Sequence, residues 1–216
     1  MPSVAIIGAS RGIGLSFAET YAADGWKVHA TTRAIDRPGD LADITGDVSL
    51  YGLDVRNADQ IAALAQALDG RGLDLLIHSA GVLRGVEREE MIAVNADAPF
   101  NVVGALLPAV ERGAGKKIAI LTSQMGARHG GGTPTSLYGE SKCLLNDRFR
   151  EIEPAWRAKD ITSVVFHPGW VATNMGGHGA PVSVTESVSG MRRVINEMTQ
   201  DDSGHFLTWK GTEHPW

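Results

Sequence analysis

Short, nearly continuous apolar runs alternate along the chain with longer stretches in which apolar residues recur every three or four positions. The short runs lie at 4–7, 27–32, 73–81, 117–121, 161–166 and 205–209, with a further strand ending at Asp54. Runs of this kind read as strands buried on both faces of a parallel sheet. The longer stretches read as helices. One carries Leu15, Phe17, Ala18 and Tyr21, and a second, at 57–68, carries Ile61, Leu64, Ala65 and Leu68. A third runs through 91–110 and holds Pro99, which should bend or loosen it. A fourth bears Tyr138 and Lys142, and a fifth starts at a capping box, Ser183 with Glu186, and continues through Met198. Residues 34–52, with Pro38, Gly39 and Gly46, read as an irregular connection with one short turn of helix. Strands alternating with helices predict an α/β fold built on a parallel sheet.

Polar residues collect where the predicted strands end. Gly8-Ala9-Ser10-Arg11-Gly12-Ile13-Gly14 sits between the first strand and the first helix. Glycines there let a backbone approach a diphosphate, and the helix start offers free N–H groups to it. The second strand ends in Thr32-Arg33, about twenty residues on, where an acidic residue selects NAD and an arginine accommodates the 2′-phosphate of NADP. Arg33, with Arg11 as a second charge, therefore favours NADP; the plainer reading is two solvated arginines. Asp54 either accepts from the adenine amino group or caps the following helix. His78-Ser79-Ala80-Gly81 ends the next strand in small residues that permit close approach of a flat ligand. Asn95, among apolar neighbours, needs a partner, met by a structural bond or a held water. Thr122 and Ser123 end the following strand, and the loop 124–135, rich in glycine, leads to the helix of Tyr138-Gly139-Glu140-Ser141-Lys142. Four residues apart on a helix, a phenol and an ammonium share one face, and the ammonium favours the phenolate. Cys143 beside them reads as a small core residue.

The 216 residues, 43% of them hydrophobic, suffice for one core, so residues 1–216 are expected to form a single domain. A net charge of −5 without a basic run excludes a dedicated nucleic-acid binder. One cysteine admits no internal disulfide, the start lacks a leader pattern, and no apolar run approaches bilayer-spanning length; a cytoplasmic protein is expected. None of the seven histidines is spaced for a metal site, so no metal is expected.

In order and spacing these segments resemble the short-chain dehydrogenase/reductase family over nearly the whole chain. The ending His167-Pro168-Gly169-Trp170-Val171 through Met175-Gly176-Gly177, with Pro215-Trp216, looks most like its C-factor and sniffer-type carbonyl reductases. The resemblance implies a doubly wound Rossmann fold, with a parallel sheet of about seven strands flanked by helices on both faces. It implies that Asn95, Ser123, Tyr138 and Lys142 are catalytic. It places NADPH, with NAD less favoured, against Gly8, Ser10, Arg11, Gly12, Ile13, Gly14, Arg33, Asp54, Val55, Ser79, Ala80, Gly81, Tyr138, Lys142, Pro168, Gly169, Val171 and Thr173. The implied reaction is hydride transfer to a small carbonyl substrate, with Lys142 lowering the Tyr138 pKa and Asn95 holding a water. A homodimer is expected by the same analogy, and a signalling role of the C-factor kind is the alternative to turnover. Two features depart from the pattern. His78-Ser79 stands where the family has two asparagines, and Ser123 lies fifteen residues before Tyr138, slightly farther than usual. Leu83, Gln124, Met125, His129, Trp170 and Met175 are the expected substrate lining.

Overall fold

The apolar runs pair edge to edge into one sheet, as strands buried on both faces must. In the computed structural model, which describes residues 1–128, 136–177 and 179–216, the strands are β1 (Ser3–Ile7), β2 (Lys27–Thr32), β3 (Val48–Gly52), β4 (Leu75–His78), β5 (Lys117–Leu121), β6 (Thr162–His167) and β7 (Phe206–Thr208). Their order is β3-β2-β1-β4-β5-β6-β7, and every pair is parallel. Successive side chains point to opposite faces, so a continuous apolar run feeds two cores. Val4 and Ile6 pack with Phe17 and Tyr21 of α1 (Gly12–Ala23) and Met191 of α6 (Val184–Glu197). Ala5 and Ile7 face the other way. They join Leu64 of α2 (Ala58–Ala67), Leu106 of α4 (Ala98–Arg112) and Phe149 of α5 (Leu137–Arg157). The result is the doubly wound Rossmann architecture that the family resemblance implies.

Two expectations are corrected. The strand expected to end at Asp54 is β3, which ends at Gly52 and lies inside the stretch read as irregular. Among the described residues it is an edge strand pairing only with β2, and none of its residues is fully buried, so its apolar signal is weak. Second, α3 (Arg88–Ile92), a π-helical turn at Ala93–Asp97 and α4 run on as one helical segment, Arg88–Arg112. At 25 residues, with an 18-residue window of mean hydropathy 1.2, it is long and apolar enough by composition to cross a bilayer, contrary to the sequence expectation. Half of that apolar window is buried inside the protein, with Val102, Leu106 and Val110 packed into the core. Pro99 follows the π turn directly and lies inside this continuous segment, where its missing N–H leaves one helical hydrogen bond unmade. The distortion sits just upstream, at the π turn. The capping box of α6 forms as read, with Ser183 and Glu186 each satisfying the other's backbone N–H.

Candidate active site

The strand order reverses between β1 and β4, so the connections leaving their carboxyl ends diverge and leave a crevice. A cleft of about 410 Å³ occupies that place. The glycine turn forms its floor and is pinned to its neighbours: Gly8 N–H donates to Thr31 Oγ1 at 2.9 Å and Ala9 N–H to Thr31 O at 2.9 Å. Gly8 has φ +83°, and a Cβ there would stand 2.8 Å from the backbone of Ala80. Only glycine allows β1 and β4 to approach so closely. Among the described residues no side chain caps the start of α1 at Arg11, which leaves its first N–H groups free toward the cleft. Leu53 N–H donates to Thr32 O at 2.8 Å and thereby carries Asp54 and Val55 alongside Arg33.

Tyr138 and Lys142 stand in the first turns of α5, whose start is capped by Ser136 accepting from Gly139 N–H. Both line the cleft. The loop after β5 is held against this helix at Gly126, where a Cβ would lie 2.6 Å from the backbone carbon of Lys142 and 2.8 Å from Cys143 N. Gly126→Ala is therefore expected to destabilise the fold by about 1–3 kcal/mol through overpacking. It should also push Ser123 away from Tyr138 and lower kcat. Urea unfolding midpoints and turnover, measured on the same preparation, check both effects.

Thr122 and Ser123 divide their roles in the structure. The Thr122 hydroxyl donates to Asn146 Oδ1 of α5 at 2.6 Å and is committed there. The Ser123 hydroxyl accepts from Met125 N–H at 3.1 Å and hydrogen-bonds the Tyr138 phenol, although Ser123 itself is not among the residues that line the cleft.

The electrostatics differ from the sequence expectation. Burial pushes the Tyr138 phenol up to about 12, with the Ser123 hydroxyl pulling against that rise, rather than Lys142 bringing it down. The Lys142 ammonium lies 6.0 Å from the Tyr138 ring centre and donates to Leu121 O at 2.9 Å. It is 4% exposed, and burial lowers its pKa to about 8. Here the loss of water around each group outweighs their mutual influence.

Asn95 sits in the π turn, fully buried. Its Oδ1 accepts from Val82 N–H at 2.9 Å, and Nδ2 donates to Val82 O at 2.7 Å and to Ser141 Oγ at 3.0 Å. Both amide protons are used, so the structural bond of the two expected readings is present, and one Oδ1 lone pair is left over. A Cβ on Gly81 would stand 3.2 Å from that Oδ1 and 3.8 Å from Lys142 Nζ, which puts Asn95 close behind Lys142. His78, in place of the family's asparagine, is buried with Nε2 unpartnered among the described residues. Burial, and then the Lys142 charge, bring its pKa down to about 3, so it is neutral. The backbone bond from Ser79 N–H to Ile7 O, 2.9 Å, holds this strand end instead.

Most expected cofactor positions face one space. From the glycine turn these are Gly8, Ser10, Arg11, Gly12 and Ile13; from the β2 and β3 ends, Arg33, Asp54 and Val55; from β4, Ser79, Ala80 and Gly81; after β6, Pro168 and Thr173. Gly14, Gly169 and Val171 do not line it. A Cβ on Gly14 would meet Gly8 O at 2.1 Å, so this glycine serves the packing of α1 on β1. Gly169 lies against Trp209, and Val171 bridges to Val182, so both support the segment from behind. Asp54 does not cap α2, because Asn57 does, accepting from Gln60 N–H. Of the expected substrate lining, Met175 faces the cleft, while Trp170 and Met125 are exposed. Leu83 and Gln124 are outside the lining, and His129 lies outside the described residues. Asp40 and Arg56 line the cleft without having been singled out. Each is an exposed charged residue in a connection, and nothing local distinguishes it from a solvated one.

The comparisons with known proteins agree with this geometry. A family model described as short chain dehydrogenase matches residues 2–181. C-signal of Myxococcus xanthus is 38% identical over 156 residues, covering 67% of this chain and 93% of that protein. NADPH-bound carbonyl reductase from chicken fatty liver superposes with a TM-score of 0.89 at 31% identity, covering 100% of this chain and 99% of its own. Carbonyl reductase Sniffer of D. melanogaster gives a TM-score of 0.89 at 26% identity, with 100% of both chains covered. The family match runs through the glycine turn and the Tyr138–Lys142 helix alike, and the chain belongs to the short-chain dehydrogenase/reductase family of oxidoreductases.

Proposed function

We propose that the protein is an NADPH-dependent carbonyl reductase. The observation that carries this reading is the convergence of Tyr138, Lys142, Arg11 and Arg33 on one cleft with the glycine turn. The residues suit the cofactor. Among the described residues neither Arg11 nor Arg33 pairs with a carboxylate, which leaves two cations for a 2′-phosphate. The uncapped start of α1 offers N–H groups to a diphosphate, as helix N-termini do. The NADPH-bound carbonyl reductase among its structural neighbours supports the same cofactor. When bound, the reduced nicotinamide supplies the hydride that reaches the carbonyl carbon.

The chain's own residues then have separate tasks. Ser123 donates to the carbonyl oxygen and holds it beside Tyr138. Tyr138 gives that oxygen a proton. A phenol whose pKa is about 12 stays protonated across the neutral range, which suits a proton donor to the carbonyl oxygen. Lys142 binds the ribose hydroxyls and keeps positive charge next to the oxygen as it gains negative charge. Asn95 fixes the Val82 backbone behind Lys142, and its free lone pair suits a water. Asp54 accepts from the adenine amine.

Wild type is expected to consume NADPH with aldehydes, ketones or quinones at least about tenfold more efficiently than NADH, and Arg33→Ala should erase most of that preference. Loss of absorbance of the reduced cofactor reads both. A preference for NADH would overturn the role of Arg33. The likeness to C-signal supports a second reading, in which nucleotide binding serves signalling and turnover is incidental. NADPH binding without turnover of any carbonyl would favour it, as would full biological activity in Tyr138→Phe.

A further inference from the structure

The adenosine end of the cleft holds a guanidinium that none of these tasks uses. Arg56 follows β3, in the connection to α2, and lines the cleft beside Asp54. Its backbone N–H and its Nε both donate to Asp54 Oδ1 at 3.0 Å, and its NH2 donates to Asp54 Oδ2 at 2.7 Å. Its remaining terminal nitrogen, NH1, donates to Glu90 Oε1 of α3 at 2.7 Å. The planar fork is thus fixed at both ends, and with it the plane of the Asp54 carboxylate.

A carboxylate has about four acceptor sites. Arg56 fills both on Oδ1 and one on Oδ2, so a single lone pair remains, at a set position on a residue that lines the cleft. The local fold has other supports. Asn57 caps α2, and Asp54 N–H is already bonded to Gln60 Oε1 at 2.6 Å. An exposed ion pair adds little to stability, so a three-point grip on one carboxylate is better accounted for by what that carboxylate must face. Resting on the NADPH reading above, we propose that Arg56 is a positioning residue for base recognition. It presents one Asp54 lone pair to the exocyclic amine of adenine, so the site distinguishes adenine from a purine bearing a carbonyl at that position. Such a carbonyl is itself an acceptor and meets the carboxylate lone pair without a proton between them.

The probe is NADPH against its hypoxanthine analogue, with kcat and KM measured for wild type, Arg56→Ala and Arg56→Lys, alongside melting temperature. Wild type should favour the adenine cofactor by about tenfold or more in kcat/KM, mostly through KM. Both variants should bring that ratio to within about threefold of parity, because a lysine keeps the charge but cannot fork. A lowered melting temperature with an unchanged base ratio would overturn the proposal and leave Arg56 a structural residue. If wild type prefers NADPH to NADH yet treats the two bases alike, the Asp54 assignment and this inference both fall while the NADPH reading stands. If neither dinucleotide binds, the NADPH reading fails and takes the inference with it.

Discussion

Tyr138→Phe is expected to lower kcat for carbonyl reduction by about 10²–10⁴-fold, the range a positioned proton donor contributes. The variant loses one oxygen and keeps the ring, so the packing around it is retained and the cofactor should still bind. In the function proposed above the phenol is the proton donor, with Ser123 drawing down a pKa that burial has raised. Ser123 could hold the carbonyl oxygen in the variant, but nothing would protonate it as the hydride arrives. Stopped assays of NADPH consumption, paired with cofactor binding followed by fluorescence, separate the two effects. Turnover near the wild-type level would remove Tyr138 from the mechanism. In wild type, kcat should hold through neutral pH and fall above pH about 8, as Lys142 loses its proton.

Lys142→Met is expected to abolish efficient turnover and, in the absence of added nucleotide, to make the protein more stable. A buried ammonium is unfavourable, and burial has lowered the Lys142 pKa to about 8. In the unfolded chain the same group titrates near about 10.4. Between those values the unfolded state binds more protons than the folded one, so wild-type stability rises with pH through that window. Below about pH 8 the full penalty is present, roughly 3 kcal/mol from the shift and less once the lost bond to Leu121 O is subtracted. Methionine fills similar space without the charge. The variant should therefore gain roughly 1–3 kcal/mol at pH 7, and the gain should vanish above about pH 10.4. Urea unfolding at a series of pH values gives the answer. A variant less stable at pH 7, or an advantage independent of pH, would show that the ammonium is better satisfied than its surroundings suggest. A residue kept at such a cost points to function over stability.

The fold was legible in the sequence where its signal is local. The runs at 117–121 and 27–32 became β5 and β2 without change, and the Ser183–Glu186 box marked the start of α6 to the residue. β3 was missed because Val48-Ser49-Leu50-Tyr51-Gly52 is half-covered and pairs with residues twenty positions upstream. The candidate constellation was legible as residue types in order along the chain, but its bonds were not. That Asn95 would hold both backbone groups of Val82, or that Thr122 would be committed to Asn146, follows from contacts across 13 and 24 positions. The direction of the Tyr138 shift was missed for a related reason. Spacing on a helix tells which groups are near, whereas burial depends on everything packed around them. Arg56 gave no signal at all, since its meaning lies in one carboxylate two residues back and another on a distant helix.

The π turn at Ala93–Asp97 also governs how the chain can change length. In a regular helix each residue advances about 100° around the axis, and a π turn carries one residue more than an α turn does. Removing a residue here to restore regularity would swing α3 through that angle relative to α4. Glu90 would then leave Arg56 and Arg88 would leave Glu140, or else Val102 and Leu106 would leave the core. Both faces can be served together only while the extra residue is kept. The segment is therefore intolerant of deletion even where its side chains could be exchanged, and Asn95 sits within the turn that absorbs the mismatch.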